Sequence, residues 1–184
     1  MFRYCPDCGS PDIRFERGKV FRCPCGFVYY HNTAAATGCV IRVGDTVLFL
    51  VRGKEPAKGK LDLPGGFVDP GEGALEGLRR ELREEIGWEP PLPDSEAFSL
   101  FASFPNTYPY KNISYNTCDL FFTLSAPALT EKDLRPAEGE IAGIRFIRPE
   151  NLDMDDLAFD STRRAIRAFE NLSRSKSRGQ GIGI

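Results

Sequence analysis

No run of apolar residues in this 184-residue chain approaches the roughly 18 needed to cross a bilayer. The opening residues, MFRYCPDCGS, hold a cysteine pair where an export signal needs an apolar stretch. The expected location is therefore cytoplasmic, with no membrane partner. Neither sign of charge is in excess. With a formal net charge of -2 and a sequence pI near 5.6, bulk electrostatics predict neither a polybasic membrane surface nor a broad nucleic-acid-binding face. What remains is an ordinary soluble composition, long enough for one well-packed domain and a small appendage.

The cysteines fall in a pattern. Cys5 and Cys8 stand in CPDCG, and Cys23 and Cys25 in CPCG, with the hairpin-like IRFERGKVFR between them. Without an export signal, close cysteine pairs hold metal more often than each other. Two knuckles joined by a hairpin are the plan of a zinc ribbon, where four thiolates close a tetrahedral Zn²⁺ site and hold together a segment too small for its own core. The second pair is C-x-C, a tighter chelate, which leaves His31, the chain's one histidine, as an alternative to Cys25 for the fourth ligand. Cys39 and Cys118 sit in apolar, strand-like runs and are expected to be small buried hydrophobes.

Residues 1–30 thus form the expected ribbon and 33–172 a second domain. The polar, glycine-rich SRSKSRGQGIGI, 173–184, is expected to be disordered. AAATGCVIRV and TVLFLVRG, joined at Gly44-Asp45, predict a hairpin. KLDLPGGFVD reads as a short strand broken by Gly65 and Gly66, and PGEG as a turn into a helix of about 14 residues ending at Gly87. After the proline-rich loop EPPLPDSEAF come SLFASFPNTYPY and ISYNTCDLFFTLSA. In the latter, Cys118, Leu120, Phe122 and Leu124 alternate as one buried face opposite Tyr115, Thr117, Asp119 and Phe121. IAGIRFI is a further strand, and Asp160 or Ser161 caps a last helix that turns Ile166 and Phe169 inward. This order predicts an α+β fold, a mixed sheet between helices in an α/β/α sandwich.

The first of those helices is unusually acidic along one side. At about 100° per residue, Leu78, Leu82 and Ile86 lie within about 60° of Leu75, whereas Glu84, Glu81 and Glu85 fall at about 180°, 240° and 280°. A solvated surface with i,i+4 pairs such as Glu76–Arg80 and Arg80–Glu84 would account for charge alone, at a few tenths of a kcal/mol per pair. Three close carboxylates repel, however, and hard divalent cations such as Mg²⁺ or Mn²⁺ relieve that repulsion.

Spacing then narrows the reading. Gly66, five residues, Glu72, seven residues, Arg80-Glu81-Leu82, one residue, Glu84-Glu85, one residue, Gly87 and the apolar Trp88 follow one another in the pattern G-x5-E-x7-R-E-U-x-E-E-x-G-U. By this pattern the chain resembles the Nudix hydrolases. VLFLVRGKEPAKGKLDLPGGFVDPGE is similar to the segment leading into the motif in that family, and the likeness extends over roughly residues 33–172. A zinc ribbon in front of such a domain resembles the NADH pyrophosphatase branch.

The resemblance implies cleavage, by water, of a nucleoside diphosphate linked to another moiety. It implies that Glu81, Glu84 and Glu85, with the Gly66 carbonyl, hold Mg²⁺ or Mn²⁺, and that Glu72 pairs with Arg80 in support. The general base is either a motif glutamate, Glu81 or Glu84, or a later one, Glu138 or Glu140. SFPNTYPY is partly similar to the SQPWPFP of NADH pyrophosphatases, and Pro105 to a proline of ADP-ribose-cleaving members. Phe104, Tyr108, Tyr110 and Tyr115 are candidates to stack on a base. The partner implied is a small nucleotide diphosphate of the NADH or ADP-ribose type, and capped RNA and a homodimer are both admitted. Two other classes fit the fold: a catalytically silent nucleotide sensor or regulator, and an RNA-binding accessory protein.

Overall fold

The computed structural model describes residues 2–91, 97–111 and 113–179. It divides into two compact units, one ending at Thr33 and one beginning at Ala34. The centre of the proline-rich loop and residues 180–184 of the expected tail lie outside the described residues.

The first unit is an antiparallel sheet of β1 (Arg14–Glu16), β2 (Val20–Arg22) and β3 (Val28–Tyr30), in that order. Residues 17–19 join β1 to β2; Arg17 and Gly18 take the left-handed φ values of 50° and 67°, and the Lys19 N–H closes the turn on the Glu16 carbonyl at 3.0 Å. Phe21 is buried, stacked on Phe15 at 4.3 Å between centroids and edge-on to Phe2 at 4.8 Å. One buried phenylalanine is too small a core for an independent fold, so the unit depends on its cysteine cluster.

The second unit is built on a six-stranded mixed sheet. Its strands are β4 (Ala34–Val43), β5 (Thr46–Arg52), β6 (Leu61–Asp62), β7 (Ser99–Tyr110), β8 (Ile113–Ser125) and β9 (Ile141–Ile147). The spatial order is β6-β5-β4-β8-β7, with β9 also paired to β5. β4 and β8 run parallel and the other pairs antiparallel, so β7 is an edge strand. Alternate residues of the central strands enter two separate cores. Cys39, Ile41, Leu48 and Leu50 meet Leu78, Leu82 and Ile86 of α1 (Ala74–Ile86), whereas Val40, Val47 and Phe49 meet Ala165, Ile166 and Phe169 of α2 (Asp160–Gly179). The result is the α/β/α sandwich. No described helix is long and apolar enough to cross a membrane.

Helix α1 begins after Gly73, whose N–H is capped by Glu76 Oε2 at 2.6 Å. It ends at Gly87, in the left-handed region, with the Trp88 N–H closing on the Leu82 carbonyl at 3.4 Å. Three details differ from the sequence reading. Helix α2 continues to Gly179, past the point at which disorder is expected. Ser161 lies inside its first turn and donates its hydroxyl to Asp119 rather than standing before the helix as a cap. In β8 Cys118 is exposed while Thr117 and Asp119 are buried. Cys118 shares its face with Leu120, Phe122 and Leu124, but that face is open at its position, and the opposite face there turns toward α2.

Candidate active site and candidate metal centre

In the first unit the sulfurs of Cys5, Cys8, Cys23 and Cys25 lie within 4.8 Å of one another, with Cys5–Cys25 and Cys8–Cys23 each 3.7 Å apart. Four sulfurs about 2.3 Å from a tetrahedral zinc would be about 3.8 Å apart, so the cluster has the dimensions of a zinc site. The short C-x-C arm reaches because the chain turns at once, Gly26 N–H bonding the Cys23 carbonyl at 3.0 Å. His31 is not in the cluster; its ring lies edge-on to Phe15 at 6.0 Å.

In the second unit the loop after β6 lies along the start of β4. Cys39 N–H bonds the Pro64 carbonyl, Thr37 N–H the Gly66 carbonyl and Val68 N–H the Ala35 carbonyl, at 2.9, 2.8 and 3.0 Å. Gly65 has φ of 140°, and a Cβ there would collide with the Thr37 carbonyl. A Cβ on Gly66 would stand 2.6 Å from the Glu81 carboxyl carbon. Two glycines thus bring main chain against the acidic side of α1, and the Gly65 N–H donates to Glu85 Oε2 at 2.8 Å.

Arg80 organises the exposed half of that acidic side. Its Nε bonds Glu72 Oε1 at 2.9 Å, its Nη1 bonds Glu81 Oε1 at 2.8 Å and Glu84 Oε2 at 3.1 Å, and its Nη2 bonds the Phe67 carbonyl at 2.9 Å. The guanidinium therefore staples loop to helix. It holds the Glu72 carboxyl below its usual pKa range, helped by the Asp69 N–H.

A cavity of about 630 Å³ opens above these groups. Gly66, Glu81, Glu85 and Glu140 line one side. Burial pushes the Glu85 pKa well above the usual carboxylate range against the pull of the Gly65 N–H, and Glu81, Asp62 and Glu140 push it further. Burial raises Glu81 as well, although Arg80 opposes it. Half-buried carboxylates that resist ionisation beside one another, with a carbonyl at Gly66 close by, are oxygen donors suited to a hard divalent cation. Glu140 is ion-paired with Lys54.

The opposite side is aromatic and polar. Phe67, Tyr108, Tyr115 and Phe159 line it, with Phe67 edge-on to Tyr108 at 5.5 Å and Tyr108 tilted against Phe159 at the same distance. Two acids stand among them, each met by a hydroxyl from the first turn of α2. Thr162 Oγ1 donates to Asp62 Oδ1 at 3.0 Å, and Ser161 Oγ to Asp119 Oδ2 at 2.6 Å. Asp62 also takes Arg52 Nη1 at 3.1 Å, yet burial keeps its pKa raised.

The cavity gathers Gly66, Glu81, Glu85, Glu140, Tyr108 and Tyr115 from among the residues singled out by sequence. Glu84, Glu138, Phe104 and Pro105 are not among its lining residues, and the Tyr110 side chain lies outside the described residues. The Glu84 side chain is 59% exposed on the Arg80 side, and Glu138 is exposed. Pro105 is exposed, and Phe104 packs on Phe121 beneath the Arg164 guanidinium, 4.3 Å away. Pro105 points away because alternation puts it on the face opposite Asn106 and Tyr108, whereas Phe104 shares their face but sits farther along β7, where Phe121 and Arg164 take it up. Arg52, Asp62, Phe67, Thr117, Asp119 and Phe159 were not singled out; their neighbours in sequence read as plain strand or turn, and only the pairing of β8 with β4 and the docking of α2 collects them.

A family model described as the NUDIX domain matches residues 32–169. The chain belongs to the Nudix family. Its relatives include proteins named NAD-capped RNA hydrolase NudC. That of Chromobacterium violaceum is 31% identical over 144 residues, which are 76% of this chain and 47% of that protein. That of Stutzerimonas stutzeri is 34% identical over 86 residues, 46% and 31% of the two chains. This Nudix chain thus spans less than half the length of these relatives. Among solved structures, a Nudix hydrolase from Nitrosomonas europaea superposes with a TM-score of 0.62 at 23% identity, over 90% of this chain and 89% of the other. The Nudix domain of Shewanella oneidensis NrtR, complexed with ADP ribose, does so with a TM-score of 0.60 at 18% identity, over 78% and 90%. At these identities the likeness is one of fold.

Proposed function

We propose that the protein is a divalent-cation-dependent pyrophosphohydrolase, cleaving with water a diphosphate that joins a nucleoside to a second group, as in NADH or ADP-ribose. The observation that carries this reading is the meeting, in one cavity, of Glu81 and Glu85 of the Nudix motif with the aromatic side chains of Phe67, Tyr108, Tyr115 and Phe159. The cations already in the cavity are committed, Arg52 to Asp62 and Lys54 to Glu140, so a polyphosphate entering this acidic space needs added positive charge.

Glu81, Glu85 and the exposed Glu84, with the Gly66 carbonyl, are the groups that would hold Mg²⁺ or Mn²⁺. When bound, such an ion offsets charge on phosphate oxygens and acidifies water. Glu140, poised in the cavity wall by Lys54, is the better placed of the later glutamates to accept a proton from the attacking water; Glu138 lies outside. Glu72 and Arg80 keep loop and helix in register. A silent sensor would not need to keep Glu72, Glu81, Glu84 and Glu85 all in place, which favours catalysis. In the first unit the cysteine cluster would hold Zn²⁺ as a structural ion. The names of the NudC relatives extend the candidate substrates to nucleotide-capped RNA, whose cleaved diphosphate is chemically the same.

The test is product analysis after incubation with Mg²⁺ or Mn²⁺ and NADH, ADP-ribose, dinucleoside polyphosphates, nucleoside triphosphates, nucleotide sugars and NAD-capped RNA. Release of nucleoside monophosphate from at least one diphosphate-linked substrate is expected. No turnover of any of them with either ion would overturn the reading.

A further inference from the structure

Thr117 Oγ1 and Asp119 Oδ1 are, among the described residues, the buried side-chain oxygens that find no hydrogen-bond partner. They come from residues two apart on β8, hence on the same face, and both residues line the cavity. Thr117 is 3% exposed and Asp119 is 7% exposed. Leaving such groups unpaired is costly, and a fold that keeps two of them side by side in a cavity wall retains a place for something that pairs them.

The chemistry of that partner can be read from the atoms. Asp119 Oδ2 is already engaged by Ser161, which leaves Oδ1 open to accept from an N–H or O–H donor. Thr117 offers a hydroxyl that donates or accepts. Beside them Tyr115 and Phe67 present aromatic surface, their centroids 6.2 Å apart. A flat ring bearing an amino group next to an acceptor satisfies all three features.

We infer that Thr117 and Asp119 form a specificity subsite for a planar ring carrying an N–H₂ group beside an acceptor, with the amino group on Asp119 and the acceptor on the Thr117 hydroxyl. Both oxygens are buried in the free protein, so engaging a ring requires a turn of the two side chains toward the cavity. Adenine, with its exocyclic amine next to a ring nitrogen, and the carboxamide of nicotinamide share this chemistry. Hypoxanthine and nicotinic acid lack it, presenting a carbonyl or a carboxylate where the amine should be. A carboxylate against Asp119 is repelled as well as unpaired. The inference rests on the nucleotide-hydrolase reading for its substrates, and names the part of the substrate that is read.

Binding separates this from catalysis. Calorimetric titration of the full chain, in Mg²⁺, with AMP, IMP, nicotinamide mononucleotide and nicotinic acid mononucleotide compares each ring with its deaminated counterpart. At least one amino-bearing ligand should bind about 10-fold or more tightly than its partner, and which pair shows the difference identifies the ring. T117V, which removes only the unpaired hydroxyl, should fold normally and narrow that ratio severalfold. D119N should shrink or invert it, because an amide can turn its N–H₂ toward a ligand carbonyl. Equal affinities within both pairs, failure to bind any of the four, or an unchanged ratio in T117V would each overturn the subsite. If the pairs bind equally while the wild type still cleaves a diphosphate-linked substrate, the subsite falls and the hydrolase stands.

Discussion

The main-chain amide of Gly65 donates to Oε2 of Glu85 at 2.8 Å, tying the loop after β6 to a half-buried acid on α1. Because burial raises the folded-state pKa of Glu85 above its unfolded value, ionised Glu85 works against folding at neutral pH. Glutamine removes the charge and keeps an oxygen for the Gly65 N–H. E85Q should therefore melt no lower than the wild type without added Mg²⁺ or Mn²⁺, while kcat falls about 10²-fold or more. Thermal melts and turnover measured side by side check this; retained activity with a lowered Tm would refute it.

The two glycines of the loop differ in what they meet. Alanine at Gly65 drives a Cβ into rigid main chain of β4 in a left-handed conformation, whereas alanine at Gly66 meets the end of a flexible glutamate side chain. G65A should cost about 2–4 kcal/mol of stability and G66A distinctly less. G66A should instead lose activity by displacing Glu81. Denaturant unfolding of both variants tests the order, and the reverse order would show that the loop yields more readily than the helix.

Glu72 gives a prediction in pH. The Arg80 guanidinium holds its folded pKa below the unfolded one, so its contribution to stability is fully present above the unfolded value, about 4.3, and disappears as pH falls through the lowered folded value. The stability difference between wild type and E72Q should be level from neutral pH down to about 5 and then close. A gap that persists at the acid end of the series would mean that shape, not charge, makes the contact.

Zinc analysis tests the ribbon independently of turnover. One zinc per chain is expected in the wild type by elemental analysis, with C5S and C25S both losing it and H31A keeping it. Removal of the ion should leave residues 1–33 open to protease, since Phe21 alone cannot hold them, while the second unit stays resistant.

Much of this was legible in the residues, for reasons that differ by element. Helix α1 shows itself because Leu78, Leu82 and Ile86 repeat at helical spacing and Gly87 closes the end. The ribbon shows itself through cysteine spacing, although only the structure decides between Cys25 and His31. Strand β8 was harder to read. Alternation tells two faces apart but not which is covered, and here helices pack on both, so Cys118 was expected inside and Asp119 was not seen as buried. The aromatic side of the cavity was least legible of all. Arg52, Asp62, Asp119 and Phe159 are far apart in sequence, and what unites them is the docking of the first turn of α2, a tertiary fact without a local signal.

The edge position of β7 carries a consequence for association. Pro105 and Pro109 have no amide hydrogen to offer, so an incoming strand would find the row of donors interrupted twice within a few residues. The long rim of the sheet is thereby protected from zipping onto another copy. Any dimer built along that rim would have to be held by side chains rather than by one sheet continuing into the next.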